Sequence, residues 1–88
     1  MDDENSSKTY IDHWEHHHSK SDHHEGMAMF FGGSNDKAEQ AHIEAYSAHE
    51  NLANKYLQLS KDDKFTKHPK SIESKKADEL SDAADLLS

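Results

Sequence analysis

Six of the nine histidines lie between residues 13 and 24, in the run Asp12-His13-Trp14-Glu15-His16-His17-His18-Ser19-Lys20-Ser21-Asp22-His23-His24, and Met27 and Met29 follow closely. Neutral imidazole is the commonest metal ligand in proteins, and thioether sulfur adds a soft donor suited to copper. The chemistry on offer is therefore transition-metal binding. On a helix, His13 and His17 stand four residues apart with His24 seven further on, and Asp12 and His16 repeat the arrangement with His23. Side chains at that spacing project from successive turns, so each stripe presents ligands for one ion. In an unfolded segment, His16-His17-His18 and His23-His24 could still wrap Cu(II) or Ni(II) without a preset geometry. The candidate ligands are His13, His16, His17, His18, His23 and His24, and the candidate ions are copper, nickel and zinc. Met27 and Met29, flanked by Phe30 and Phe31, read better as hydrophobic packing than as ligands. A plainer reading stays open, since histidine-rich acidic segments also occur with no dedicated ion.

Composition limits what can position these groups. Leu, Ile, Val and Phe together make only 12 of 88 residues, and the formal charge is −8 with the histidines neutral. Such a chain gains little from burial, so metal, self-association or a larger protein partner is expected to supplement its core. With no cysteine, disulfides and thiolate metal sites are excluded. All ten cations are lysine and the surface is acidic, which argues against nucleic-acid binding. The start, Met1-Asp2-Asp3-Glu4-Asn5, lacks the basic-then-apolar pattern of a secretory signal, and the longest apolar run is Met27–Phe31. A soluble, cytoplasmic protein without a membrane span is the expectation. Catalysis is not expected: there is no cysteine nucleophile, no glycine-rich phosphate loop, and no serine in a recognisable motif with a matched histidine and acid. Protonating all nine histidines would take the charge from −8 to about +1, with unperturbed pKa values of ~6.5 placing the change in mild acid.

Valine is absent, β-branched residues are few, and Ala, Leu, Glu, Lys and Gln are common, so the sequence predicts a small all-α protein. The clearest helix spans 37–60, with Asp36 as cap, Glu39 completing a capping box, and Gly32-Gly33-Ser34-Asn35 as the break before it. Ala38, Ala41, Ala45, Ala48, Leu52, Ala53, Tyr56 and Leu59 form its apolar side. His42 and His49 project from the middle of that side, and each reads as a core histidine with one ring nitrogen hydrogen-bonded. They could also face Glu73, Asp78 or symmetry copies. A second helix is predicted over 71–87, with Ile72, Leu80, Ala83, Ala84 and Leu87 facing inward, Phe65 packed at the turn before it, and His68 as a turn residue before Pro69.

The expected architecture is a helical hairpin over 34–88, preceded by a His/Met-rich segment over 1–33. That segment is either disordered in isolation or a third helix from Ser7 to Glu25 that Gly26 stops, followed by a glycine-bounded apolar loop. An alternative role to metal binding is a protein interaction module, an inhibitor or accessory subunit, using Phe30, Phe31, Tyr46, Leu52, Tyr56 and Leu57, with a homo-oligomer or a larger protein as partner.

Overall fold

The computed structural model describes residues 7–87; the acidic start read above as lacking a signal, Met1–Asn5, lies outside them. The chain is all-α. Helices α1 (Tyr10–Phe31), α2 (Asp36–Ser60) and α3 (Ile72–Leu86) follow one another, and a two-residue ladder pairs β1 (Lys8–Thr9) antiparallel with β2 (Lys67–His68). Each helix begins on a side chain that accepts a hydrogen bond from an otherwise unpaired backbone N–H: Thr9 from Asp12, Asn35 from Ala38, and Ser71 from Ser74. The cap of α2 is thus Asn35, one residue before the Asp36 expected from the capping-box pattern.

The histidine-rich segment is a full helix, and it runs six residues past the expected stop at Glu25. Gly26 does not end it. A helical glycine costs about 1 kcal/mol, which the packing of α1 along α2 offsets. The expected apolar loop is therefore the last turns of α1, and the chain reverses at Gly32–Asn35. Gly33 adopts φ +82° there, a left-handed conformation that a β-carbon would disfavour, while the Ser34 and Asn35 amides donate to the Phe31 carbonyl.

Alanines let α2 approach both α1 and α3 closely. Ala38, Ala45, Ala53, Ala77 and Ala84 are buried, and Leu52, Tyr56 and Ala77 form a small apolar cluster with Tyr10, Trp14, Ala48 and Leu59 packed on it. Two expectations for the C-terminal part are corrected. Phe65 is 89% exposed rather than packed, in a turn where the Asp63 carboxylate accepts from the Phe65 and Thr66 amides. In α3 the buried positions are Ser74, Ala77, Ser81 and Ala84, whereas Ile72 is 74% exposed and Leu80 and Leu87 also reach solvent. The inward stripe is chosen by what the serines bond, not by apolar content. No helix among the described residues is long and apolar enough to cross a membrane.

Candidate metal centre

The interior is built from rings at a seven-residue period. Along α1 these are Tyr10, His17, His24 and Phe31; along the antiparallel α2 they are Tyr56, His49 and His42. Seven residues make nearly two helical turns, so each set stays on one face. The two rows interleave. His17 stacks on Tyr56 at 5.8 Å, His24 on His49 at 6.0 Å, and Phe31 on His42 at 5.8 Å between ring centroids.

Within this column two layers repeat the same bonds. In the first, His17 Nδ1 meets His49 Nδ1 at 2.7 Å and His17 Nε2 meets Ser74 Oγ at 2.7 Å. In the second, His24 Nδ1 meets His42 Nδ1 at 2.7 Å and His24 Nε2 meets Ser81 Oγ at 2.5 Å. All four histidines and both serines are buried. A nitrogen-to-nitrogen contact of that length requires one proton between the two rings, so one ring is donor and the other acceptor. A second proton on the contact would set N–H against N–H. Each layer is therefore a short relay of neutral groups, Ser–His–His, and the polar atoms it buries are largely satisfied. His49 Nε2 is the exception, with no hydrogen bond of good geometry among the described residues.

Burial sets the ionisation of these rings. It pushes the His17 pKa down to about 3, helped by His16 and His49 and opposed by Asp78. It pushes His24 down to about 4, opposed by Asp85 and helped by His23 and His42. His42 and His49 are lowered for the same first reason, with Asp85 and Asp78 respectively opposing. A desolvated imidazolium loses its hydration without gaining an equivalent partner, so the neutral form wins.

Beside each layer lies a histidine–carboxylate pair. His16 Nε2 donates to Asp78 Oδ1 at 2.8 Å, and Lys70 Nζ donates to the other oxygen, Oδ2, at 2.7 Å. Seven residues on, His23 Nε2 donates to Asp85 Oδ1 at 3.0 Å. Burial works to raise the Asp78 pKa, but the hydrogen bonds and charges of His16 and Lys70 outweigh it and hold the carboxyl well below its usual range. For Asp85 burial likewise works upward and is outweighed by His23, His24 and His42. The result is two three-donor groups, His16–His17–Asp78 and His23–His24–Asp85, in each of which one donor atom per residue lies within 4.8 Å of the others.

Each group could hold a metal ion. With metal–nitrogen and metal–oxygen bonds of about 2.0–2.2 Å, tetrahedral donors sit about 3.3 Å apart. An ion would take the place of the proton that His16 Nε2 shares with Asp78, releasing it to solvent or to the other ring nitrogen; the 2.8 Å contact would open by about half an ångström and the wider separations would close by side-chain torsions. The buried partner histidines supply what such ligands usually need. His49 on His17 and His42 on His24 engage one ring nitrogen and orient each ring; Ser74 and Ser81 hold the other, so an ion bound by His17 or His24 takes the place of one of these hydrogen bonds.

Of the six histidines picked out from sequence, His16, His17, His23 and His24 fall in these groups. His13 points elsewhere: its Nε2 donates to the His68 carbonyl at 2.8 Å, and its ring stacks on Tyr56. His18 is on the surface, 3.6 Å from Asp22 and stacked on Trp14. His68, expected in a turn, lies in β2 with its ring stacked on Tyr10 at 4.0 Å. Met29 is exposed and Met27 half-buried. Asp85, Ser74 and Ser81 were not singled out from sequence, and Asp78 was named only as one residue His42 and His49 could face. The signal was present in α3, where Ser74/Ser81, Ala77/Ala84 and Asp78/Asp85 all repeat at the period of the histidines.

The residues considered for partner binding divide. Leu52 and Tyr56 are buried in the chain's own core; Phe31, Tyr46 and Leu57 are half-buried; Phe30 is 74% exposed. The order Ser–His–His also resembles a nucleophile and its base. Both serine hydroxyls are sealed in the core, however, and a substrate would have no route to them in this packing. Comparison of the chain with family models, with curated proteins and with solved structures finds no match.

Proposed function

We propose that this chain binds divalent transition-metal ions, two per molecule, at His16–His17–Asp78 and His23–His24–Asp85. One observation carries the reading: the same donor set occurs twice, in the same order, displaced by seven residues on both α1 and α3. A single histidine beside an aspartate is a common surface pair. A repeated set with a buried imidazole behind each copy is a more demanding arrangement, and the net charge of −8 favours cations. Zn(II) is the reference ion, with Ni(II), Co(II) and Cu(II) as alternatives separable by affinity.

The test is calorimetric titration of untagged, metal-stripped protein with Zn(II) at pH 7.5. Two ions per chain with submicromolar dissociation constants are expected. His16→Gln should leave one ion bound, and His16→Gln with His23→Gln should weaken binding at both sites at least tenfold. His18→Gln should change nothing. Indefinite weak binding, or binding unaltered in the double variant, would overturn the proposal.

A further inference from the structure

Helix α3 is held differently from the other two. A four-residue turn, Gly32–Asn35, joins α1 to α2, and ring stacking runs along most of their length. By contrast α3 follows a longer connection, residues 61–71, anchored by the two-residue ladder. Its buried side chains are small: Ser74, Ala77, Ser81 and Ala84. Its large apolar groups, Ile72, Leu80, Leu86 and Leu87, all reach solvent. Because hydrophobic stabilisation scales with the apolar area removed from water, α3 gains less on docking than a helix presenting leucines.

Four side-chain hydrogen bonds run from α1 to α3 among the described residues: His16–Asp78, His17–Ser74, His23–Asp85 and His24–Ser81. The α1 member of every one belongs to a proposed metal-binding group, and Asp78 and Asp85 are the only ligands α3 contributes to those groups. An ion at either position must therefore bridge the two helices.

The geometry points to a metal clasp: binding at the two groups controls whether α3 is docked on the α1–α2 hairpin. This rests on the metal-binding reading above and adds regulation to it. A ligand that binds the docked form better shifts docking by the ratio of its affinities for the two forms. When α3 leaves, each group keeps its two histidines but loses its carboxylate; docked, the ion displaces one neutral hydrogen bond of the buried ring but gains a charged carboxylate ligand, the stronger of the two, so the ion favours the docked form. With free ion at 100 times the dissociation constant and no binding to the undocked form, each site would shift docking about 100-fold. Residual binding by the histidine pairs lowers that figure, and at least a tenfold shift is expected overall. Two clasps on one heptad spacing would also resist fraying along the helix, where a single clasp would act as a pivot.

Hydrogen exchange of the full chain, metal-stripped and then with Zn(II), reads this directly. Amides of α3 should gain at least tenfold protection with the ion, and those of α1 and α2 should gain distinctly less. Asp78→Asn with Asp85→Asn should remove the α3-specific gain. Because that variant could also undock α3 permanently, a second measurement uses the unaltered ligands. Spin labels on Ser19→Cys and Glu79→Cys, both exposed positions, should give a broad distance distribution without metal and a narrow one with Zn(II). If calorimetry finds two bound ions while α3 protection and the label distances do not change, the clasp is wrong and metal binding stands. If no Zn(II) binds, both fall together.

Discussion

Lowering the pH from 7.5 to 5 should weaken the metal-free fold by about 4 kcal/mol, through His17 and His24 alone. In the folded chain burial lowers these rings to pKa values of about 3 and about 4, whereas in the unfolded chain they titrate near ~6.5. The stability tied to each neutral ring is complete above ~6.5, where both states hold the ring uncharged, and is lost as pH falls from there toward the folded value. At pH 5 the unfolded ring is 1.5 pH units below its pKa and mostly protonated while the folded ring is not, which gives about 2 kcal/mol for each histidine. His42 and His49, lowered for the same reason, add to the loss. Asp78 and Asp85 do not compensate in this window, because carboxyls held below their usual range lose their contribution only below about pH 4. A domain of this size has a total stability of roughly 5 kcal/mol, so the effect is comparable to the whole. Urea unfolding of metal-stripped protein, followed by circular dichroism at pH 7.5, 6 and 5, measures it. A midpoint that drops steeply over that range is expected. An unchanged midpoint would mean that the imidazoles are hydrated, and that the neutral relay through the core does not exist.

Other consequences follow from single positions. Gly26 is exposed within α1 and a β-carbon there would meet no atom within 4 Å, so Gly26→Ala should stabilise the fold by about 0.5–1 kcal/mol in the same urea assay. Ser74→Ala strips His17 Nε2 of its partner in the core and should cost about 1–3 kcal/mol; Ser81→Ala, in the equivalent layer, should cost a similar amount. Unequal costs would show that the two layers are not equivalent. Leu52→Ala opens the small apolar cluster and should cost about 2–5 kcal/mol in the same urea assay, the upper end of which equals the roughly 5 kcal/mol that holds a domain of this size.

A reading of the sequence could recognise an all-α chain because helix propensity and the absence of valine are local properties. The α2 face was legible for the same reason, since its alanines, Leu52 and Tyr56 recur at helical spacing and the structure buries Ala38, Ala45, Leu52, Ala53 and Tyr56. The inward placement of His42 and His49 came from that same spacing. The histidine stripes His13/His17/His24 and Asp12/His16/His23 were visible too, but each was given its own ion, whereas the structure draws each donor group from both stripes, His16 with His17 and His23 with His24. What the tertiary structure decided is which histidines go where. His17 and His24 are buried because α2 presents a histidine and α3 a serine at the matching level, so that both ring nitrogens are satisfied. His18, adjacent to His17, is left on the surface. Polar burial of this kind is invisible to a hydrophobic pattern, which assigned α3 an inward face of Ile72, Leu80, Ala83, Ala84 and Leu87, of which Ala84 is buried, and missed the serines that occupy that face. Sequence determines the period at which donors recur along each helix. Only the packing of three helices brings a carboxylate from α3 to the two histidines of α1, because that meeting depends on the relative register of segments more than sixty residues apart in the chain.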